Sequence, residues 1–229
     1  MRGVGLTRRE RMLGGVLLAC ELAVFPVVVG NVFALAEGLL GCEIGNGLRD
    51  VVYYTALFVL TLLVFGGFWR RNWKAVRAGR FFPALGLGLV AFYGADALGG
   101  WLMRKLPLPG ANLNDGTVLA RLEAAPGITV FVVVLLAPVI EETLFRGYVF
   151  GVVGERSRGG AYVVSSVLWA LAHVWPYAAA GDWRYLVMVA PYLAPGFVMG
   201  WTYERSGSLW GSVFLHSLVN AIAVGRIFL

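Results

Sequence analysis

Charge is scarce in this chain. Acidic and basic residues make up 14% of its 229 positions, against 59% hydrophobic residues and a mean hydropathy of +0.76. A water-soluble domain of this size has too little polar surface to cover so much apolar side chain, which excludes the ordinary soluble classes and predicts a lipid-embedded protein. Lysine is nearly absent, at Lys74 and Lys105 only, so arginine carries the net charge of +6. The arginines stand in short clusters between apolar runs, which is how membrane topology is encoded, and no nucleic-acid partner is expected. Cysteine is limited to Cys20, inside the first apolar run, and Cys42, in the loop after it, which predicts neither a disulfide nor a cysteine-based metal site. "LLAC" ending at Cys20 resembles a lipoprotein cleavage box, but the apolar run continues to about Leu40 and predicts an uncleaved first span. Internal repeats and disordered tails are also lacking, so residues 1–229 read as a single integral membrane domain.

What is present is a series of apolar stretches long enough for bilayer-crossing helices of ~20 residues. They fall at 13–36, 51–69, 81–103, 127–153, 161–180, 185–203 and 209–228. The expected fold class is all-α, a polytopic membrane helical bundle of about seven transmembrane helices. Arg2, Arg8, Arg9 and Arg11, then Arg70, Arg71, Lys74, Arg77 and Arg80, then Arg156, Arg158 and Arg205 all fall on one side under that count. This bias predicts a cytoplasmic N-terminus and an outer C-terminus. The 104–126 segment, with Leu119, Arg121 and Leu122 in weakly amphipathic order, is expected along the outer surface. Trp69, Trp73, Trp101, Trp175, Tyr177, Trp183, Tyr185 and Trp210 lie near span ends and are expected as interfacial anchors.

Against that apolar background, "VLLAPVIEETLFRGYVFG" (134–151) sets two glutamates and an arginine at membrane depth. Intramembrane ionisable residues are costly and need partners. Residues four apart share a helix face, so Glu142 and Arg146 are expected to pair, leaving Glu141 about a quarter-turn away to face a cavity. Pro138, just before them, removes a backbone donor and is expected to kink the span. The chain's two histidines both fall in late spans. His173 lies one turn after Trp169, and His216 one turn before Asn220. Counted from the expected span ends at Gly154, Ala161 and Gly207, Glu141, His173 and His216 lie at similar depth, roughly 14–20 Å. Glu21 and Asp96 are further intramembrane acids, expected to pair with basic neighbours or to border the cavity. A carboxylate and an imidazole can together take a proton from water, while a second imidazole with an amide can hold an oxyanion. The same groups also fit a two-histidine, one-carboxylate zinc site, and spacing does not choose between the two.

Four ordered motifs carry a family resemblance. "EETLFRG" (141–147) resembles the EExxxR motif of the CPBP family, which includes the type II CAAX prenyl endopeptidases and bacterial relatives called ABI or bacteriocin-immunity proteins. "WALAH" (169–173) stands where that family usually has FxxxH. "PGFVMGWTYERSGSLWGSVFLHSLVNA" (195–221) resembles its third and fourth blocks, ending in HxxxN. The resemblance covers about 127–225 and implies a catalytic core there, with Glu141 as general base, His173 assisting it, and His216 and Asn220 as the oxyanion site. Glu142 and Arg146 would order the site, with Trp169 as the aromatic that replaces phenylalanine, changing pocket shape and not chemistry. It implies a glutamic-type intramembrane protease that needs no cofactor, with zinc as the second mechanism. The implied partner is a protein or peptide with a membrane-anchored or lipidated tail, met in the bilayer of a multi-pass bacterial inner-membrane protein. A non-enzymatic bacteriocin-immunity or scaffold role is the alternative.

Overall fold

A computed structural model describes residues 4–105, 113–179 and 183–228. Among them there is no strand, and eight helices follow in order. These are α1 (Arg8–Leu40), α2 (Asn46–Ala75), α3 (Ala78–Met103), α4 (Leu113–Ala124), α5 (Pro126–Gly154), α6 (Arg158–Ala179), α7 (Val189–Ser206) and α8 (Leu209–Ile227). Five helical segments are long and apolar enough to cross a membrane: Arg8–Leu40, Asn46–Ala75, Ala78–Trp101, Pro126–Gly154 and Leu186–Ser206. Their outward faces carry side chains no aqueous surface would hold so open, such as Leu39 at 80% and Val90 at 73% exposure. The chain is a multi-pass membrane protein, and the expected helical class holds.

Polar clasps fix which ends lie together. Thr7 and Glu10 form a reciprocal capping box at the start of α1, and Glu10 also pairs with Arg71 at 2.7 Å. Arg11 pairs with Glu155, and Arg158 with Glu204 at 2.7 Å. The N-terminus, the α2–α3 turn, the α5–α6 turn and the α7–α8 turn therefore share one end of the bundle. These are the four basic segments that the charge pattern grouped. At the opposite end Arg49 pairs with Glu37, and Arg121 of α4 with Asp50 of α2 at 3.2 Å. Within α4, Leu122 is buried and Leu119 exposed, so the helix is seated on the bundle by one face. Residues 106–112 of the connecting segment lie outside the described residues.

The α2–α8 junction shows how the polar exceptions hold the frame. Gly207 ends α7 in the left-handed region (φ 72°), which a side chain would strain. The chain then turns straight into α8, whose first backbone N–H, that of Leu209, has no intrahelical acceptor. The fully buried Asn72 supplies it: Leu209 N donates to Asn72 Oδ1 at 2.9 Å, and Ser208 Oγ donates to the Asn72 carbonyl at 2.8 Å. Replacing Asn72 by alanine orphans a buried donor and should cost about 1–3 kcal/mol, read as a lowered thermal midpoint; Asn72→Asp keeps the acceptor but sets a buried carboxylate oxygen against the Phe68 carbonyl to which Asn72 Nδ2 donates at 3.0 Å, so it should not restore the parent midpoint.

Two expectations change. Trp69 is not an interfacial anchor: it is 7% exposed, its indole N–H donates to Thr143 Oγ1 at 2.8 Å, and its carbonyl accepts from the Trp210 indole. Trp73, Trp101 and Trp175 are outward, as anchors require, while the side chains of Tyr177, Trp183 and Tyr185 lie outside the described residues. Glu21 finds a tyrosine and not a basic neighbour: Tyr53 Oη donates to Glu21 Oε2 at 2.9 Å, beside a π-helical turn of α1 at Cys20–Val24. Asp96 is exposed. Cys20 and Cys42 are free thiols.

Candidate active site

Helix α5 supplies the acids, and its irregularity places them. Two π-helical stretches interrupt it, at Val132–Leu136 and Thr143–Phe150. In the first, the Ala137 N–H bonds to the Val132 carbonyl and so leaves the Val133 carbonyl free. The next residue, Pro138, has no N–H to offer it. Asn220 of α8 fills the gap: its Nδ2 donates to the Val133 carbonyl at 2.8 Å. Pro138 thus acts through a hydrogen-bond vacancy that ties α8 to α5 about two turns before the acids.

The Glu142–Arg146 pair is present. Both side chains are fully buried, with Arg146 Nη1 donating to Glu142 Oε1 at 3.0 Å. Arg146 Nη2 reaches across to the Gly196 carbonyl of α7 at 3.1 Å, and its guanidinium lies 4.9 Å from the centre of the Trp169 ring. That reach needs α6 and α7 in close approach. A Cβ on Gly196 would stand 3.0 Å from Ser166 Cβ and 3.2 Å from its Cα, so glycine sets the gap. The Glu142 carboxyl takes a second partner, His216 Nδ1, at 3.0 Å from Oε1. A carboxylate only accepts, so Nδ1 carries the proton, and Nε2 can donate only when the ring is an imidazolium.

Glu141 behaves differently. Its side chain is 24% exposed and that of His173 15%, whereas Glu142 and Arg146 are at zero. Glu141 and His173 are thus part-exposed, while the neighbouring cluster is sealed. Trp169 Nε1 donates to Glu141 Oε2 at 2.8 Å, and His173 Nε2 stands 3.7 Å from the same oxygen. His173 Nδ1 is 2.8 Å from the Trp169 carbonyl, an acceptor, so the neutral ring carries its proton on Nδ1 and turns the Nε2 lone pair toward Glu141. Two acceptors 3.7 Å apart cannot bond one another, but both can accept from a water.

The residues singled out in the sequence are therefore assembled on three helices: Glu141, Glu142 and Arg146 on α5, Trp169 and His173 on α6, His216 and Asn220 on α8. The arrangement differs from expectation in two respects. His216 and Asn220 share a face of α8, but both engage α5, at Glu142 and Val133 respectively, instead of standing free as a pair. Trp169 also does what phenylalanine cannot, donating a hydrogen bond to Glu141, so the replacement reaches the chemistry as well as the shape. Sequence reading missed Tyr192, whose ring stacks on His173 at 5.0 Å, and also Tyr53 and Tyr54, which together with Glu21, the acid expected to border the cavity, lie within electrostatic range of Glu141. An apolar groove of about 600 Å³ lined by Leu87, Val90, Phe197 and Trp201 lies on the outer face, holds no charged side chain and shares no lining residue with this site.

A bundle of apolar helices enclosing one sealed ion-paired cluster and one open carboxylate–imidazole pair defines a polytopic membrane protein with an intramembrane polar site. Residues 123–222 match the family model described as type II CAAX prenyl endopeptidase Rce1-like. The recognition of the CPBP family from its motifs is borne out over that stretch. Two curated relatives are similar to this chain. The UPF0177 protein YxdF of Lactococcus lactis subsp. lactis (strain IL1403) is 34% identical over 90 residues, 39% of this chain and 45% of that protein. The "Putative membrane peptidase YdiL" of Bacillus subtilis (strain 168) is 28% identical over 112 residues, 48% of this chain and 41% of that protein. The chain thus spans less than half the length of either relative in these matches. No solved structure matches.

Proposed function

We propose that the chain is an intramembrane endopeptidase of glutamic type, hydrolysing a peptide bond in or near the C-terminal or membrane-proximal segment of a membrane-associated protein. The observation that carries this is the Glu141 carboxylate and the His173 Nε2 lone pair, 3.7 Å apart and both part-exposed beside the sealed Glu142–Arg146 pair. The family match and the peptidase relative support the same class.

In this reading a water bridges Glu141 and His173, and Glu141 takes its proton as the oxygen attacks the scissile carbonyl carbon. The carbonyl oxygen becomes an oxyanion held by His216 and Asn220. His216 can donate from Nε2 only as an imidazolium, in which Nδ1 stays on Glu142. Asn220 keeps its second amide hydrogen for the oxyanion while the first stays on Val133. Collapse breaks the C–N bond, and the proton held by Glu141 passes to the leaving amine. Glu142, Arg146 and Trp169 order these groups without taking part.

The proposal needs no metal. Glu142 is occupied by Arg146 and His216, and among the described residues no three His, Cys, Asp or Glu side chains converge as ligands. Purified protein in lipid nanodiscs should cleave one class of a peptide panel comprising prenylated-cysteine tails and single-span anchored tails, and should do so undiminished by a chelator. Cleavage lost on chelation and restored by zinc replaces this mechanism with the zinc-dependent one. Failure on every peptide, with a glutamine at 141 harmless in cells, leaves a non-enzymatic immunity or scaffold protein of the bacterial inner membrane.

A further inference from the structure

Tyr192 belongs to no motif in the chain, yet it lies against the part of the site that has most freedom to be wrong. A histidine ring turns about its last torsion in a broad, nearly two-fold well. Half a turn of His173 would exchange Nδ1 for a carbon at the Trp169 carbonyl and swing Nε2 away from Glu141. The bond from Nδ1 to that carbonyl chooses between the two positions, which share one ring plane, but one neutral hydrogen bond holds that plane only loosely. The remaining restraint is aromatic. The Trp169 ring centre is 4.5 Å from that of His173, tilted at 60°, and the Tyr192 ring stacks on the imidazole at 5.0 Å and 30°. Trp169 and Tyr192 meet each other edge-on at 6.0 Å, closing the corner.

The backbone explains why Tyr192 is there. It stands four residues before Gly196, on the same face of α7. At Gly196 α7 approaches α6 closely, against Ser166. The two helices run antiparallel, so one turn back along α7 brings the chain opposite Trp169 and His173.

We propose that Tyr192 is a positioning residue of the site: its ring stacks on the His173 imidazole while the Trp169 indole abuts it at an angle, fixing the ring plane in which Nδ1 meets the Trp169 carbonyl and Nε2 turns to Glu141. The consequence for catalysis rests on the endopeptidase reading, while the clamp itself does not. The plane of the ring does this, so phenylalanine at 192 should serve and leucine should not.

The chain has two histidines, so nitrogen-15 NMR of histidine-labelled protein in nanodiscs can resolve both rings, with His216→Gln assigning them. In the parent and in Tyr192→Phe, His173 should show one tautomer, protonated at Nδ1. In Tyr192→Leu it should show exchange between tautomers, with His216 unchanged as the internal control. In turnover, Tyr192→Leu should lose about 10²-fold in kcat with little change in KM, the scale of a misplaced catalytic group, while Tyr192→Phe stays near the parent. A parent-like His173 spectrum in a folded Tyr192→Leu protein overturns the proposal. So does a Tyr192→Phe variant that falls as far as leucine, since the role would then belong to the hydroxyl. If leucine unfolds the bundle, Tyr192→Met keeps volume without a plane and is read the same way. A single His173 tautomer that depends on the Tyr192 ring, in a protein that cuts no peptide, would uphold the clamp and sink the endopeptidase alone.

Discussion

Replacing Glu141 by glutamine should reduce peptide cleavage by about 10³-fold or more, within the range general acid–base catalysis supplies. The substitution is nearly isosteric, and the amide oxygen can still accept the Trp169 indole hydrogen that now reaches Oε2 at 2.8 Å. What it removes is the capacity to take a proton from water. Because Glu141 is part-exposed and its hydrogen bond is retained, thermal stability should stay within about 0.5 kcal/mol of the parent. Alanine at 141 is a poorer test, because it leaves the buried indole N–H without its acceptor and adds about 1–3 kcal/mol of instability to the loss of the base. Glutamine therefore separates chemistry from folding. The decisive measurement is turnover of a cleaved reporter peptide by parent and variant in the same nanodiscs, with thermal melts alongside. A variant that turns over within a few-fold of the parent would remove Glu141 from the mechanism, and with it the role assigned to His173.

The parts of this site that could be read from the sequence are those that survive irregular winding. Glu142 and Arg146 are four apart, and a pair so spaced stays on one face whether the helix is α or the π stretch found at Thr143–Phe150. The common depth of Glu141, His173 and His216 was legible for a similar reason: counting inward from charged turns needs no side-chain geometry. Pro138 announced a disturbance but not its form. The form depends on a freed carbonyl at Val133 and an amide from a helix more than eighty residues later, which no local pattern contains. Trp69 looked like an anchor because it ends an apolar run, but its depth is set by Thr143 of α5 and by Trp210. Tyr192 carried one usable signal, its place one turn before a glycine in a helix rich in small residues. Its contact with His173 depends on the α6–α7 register, which is fixed by packing at Ser166. Glu21 and Tyr53 lie outside the stretch that resembles the family, so nothing in the motifs pointed to them.

Arg146→Met should be the most damaging single change to the fold. Arg146 is fully buried and holds three elements together, through Glu142 on its own helix, the Gly196 carbonyl of α7 and the Trp169 ring of α6. Methionine fills much of the volume, so the loss is electrostatic: Glu142 is left as a buried carboxylate without its arginine, and Gly196 loses its extra donor. Breaking one side of a buried pair costs about 3–5 kcal/mol, a large share of the roughly 5–15 kcal/mol that holds a typical domain together. The expected readings are a sharp fall in thermal midpoint and in the yield of folded protein. Removing the stranded charge as well should reverse part of this. Glu142→Gln with Arg146→Met keeps an acceptor for His216 and buries no net charge, so the double variant should be more stable than Arg146→Met alone, with a coupling of about 1–3 kcal/mol. It should nonetheless cleave poorly, because an amide at 142 holds the His216 ring by a weaker hydrogen bond than the carboxylate does, and oxyanion binding depends on that ring. Stability and activity would then move in opposite directions between the single and the double variant, which a cluster serving only to pack the helices cannot produce. A double variant no more stable than Arg146→Met would mean that the arginine acts through its contacts to α6 and α7, and that the charge on Glu142 is not what it balances.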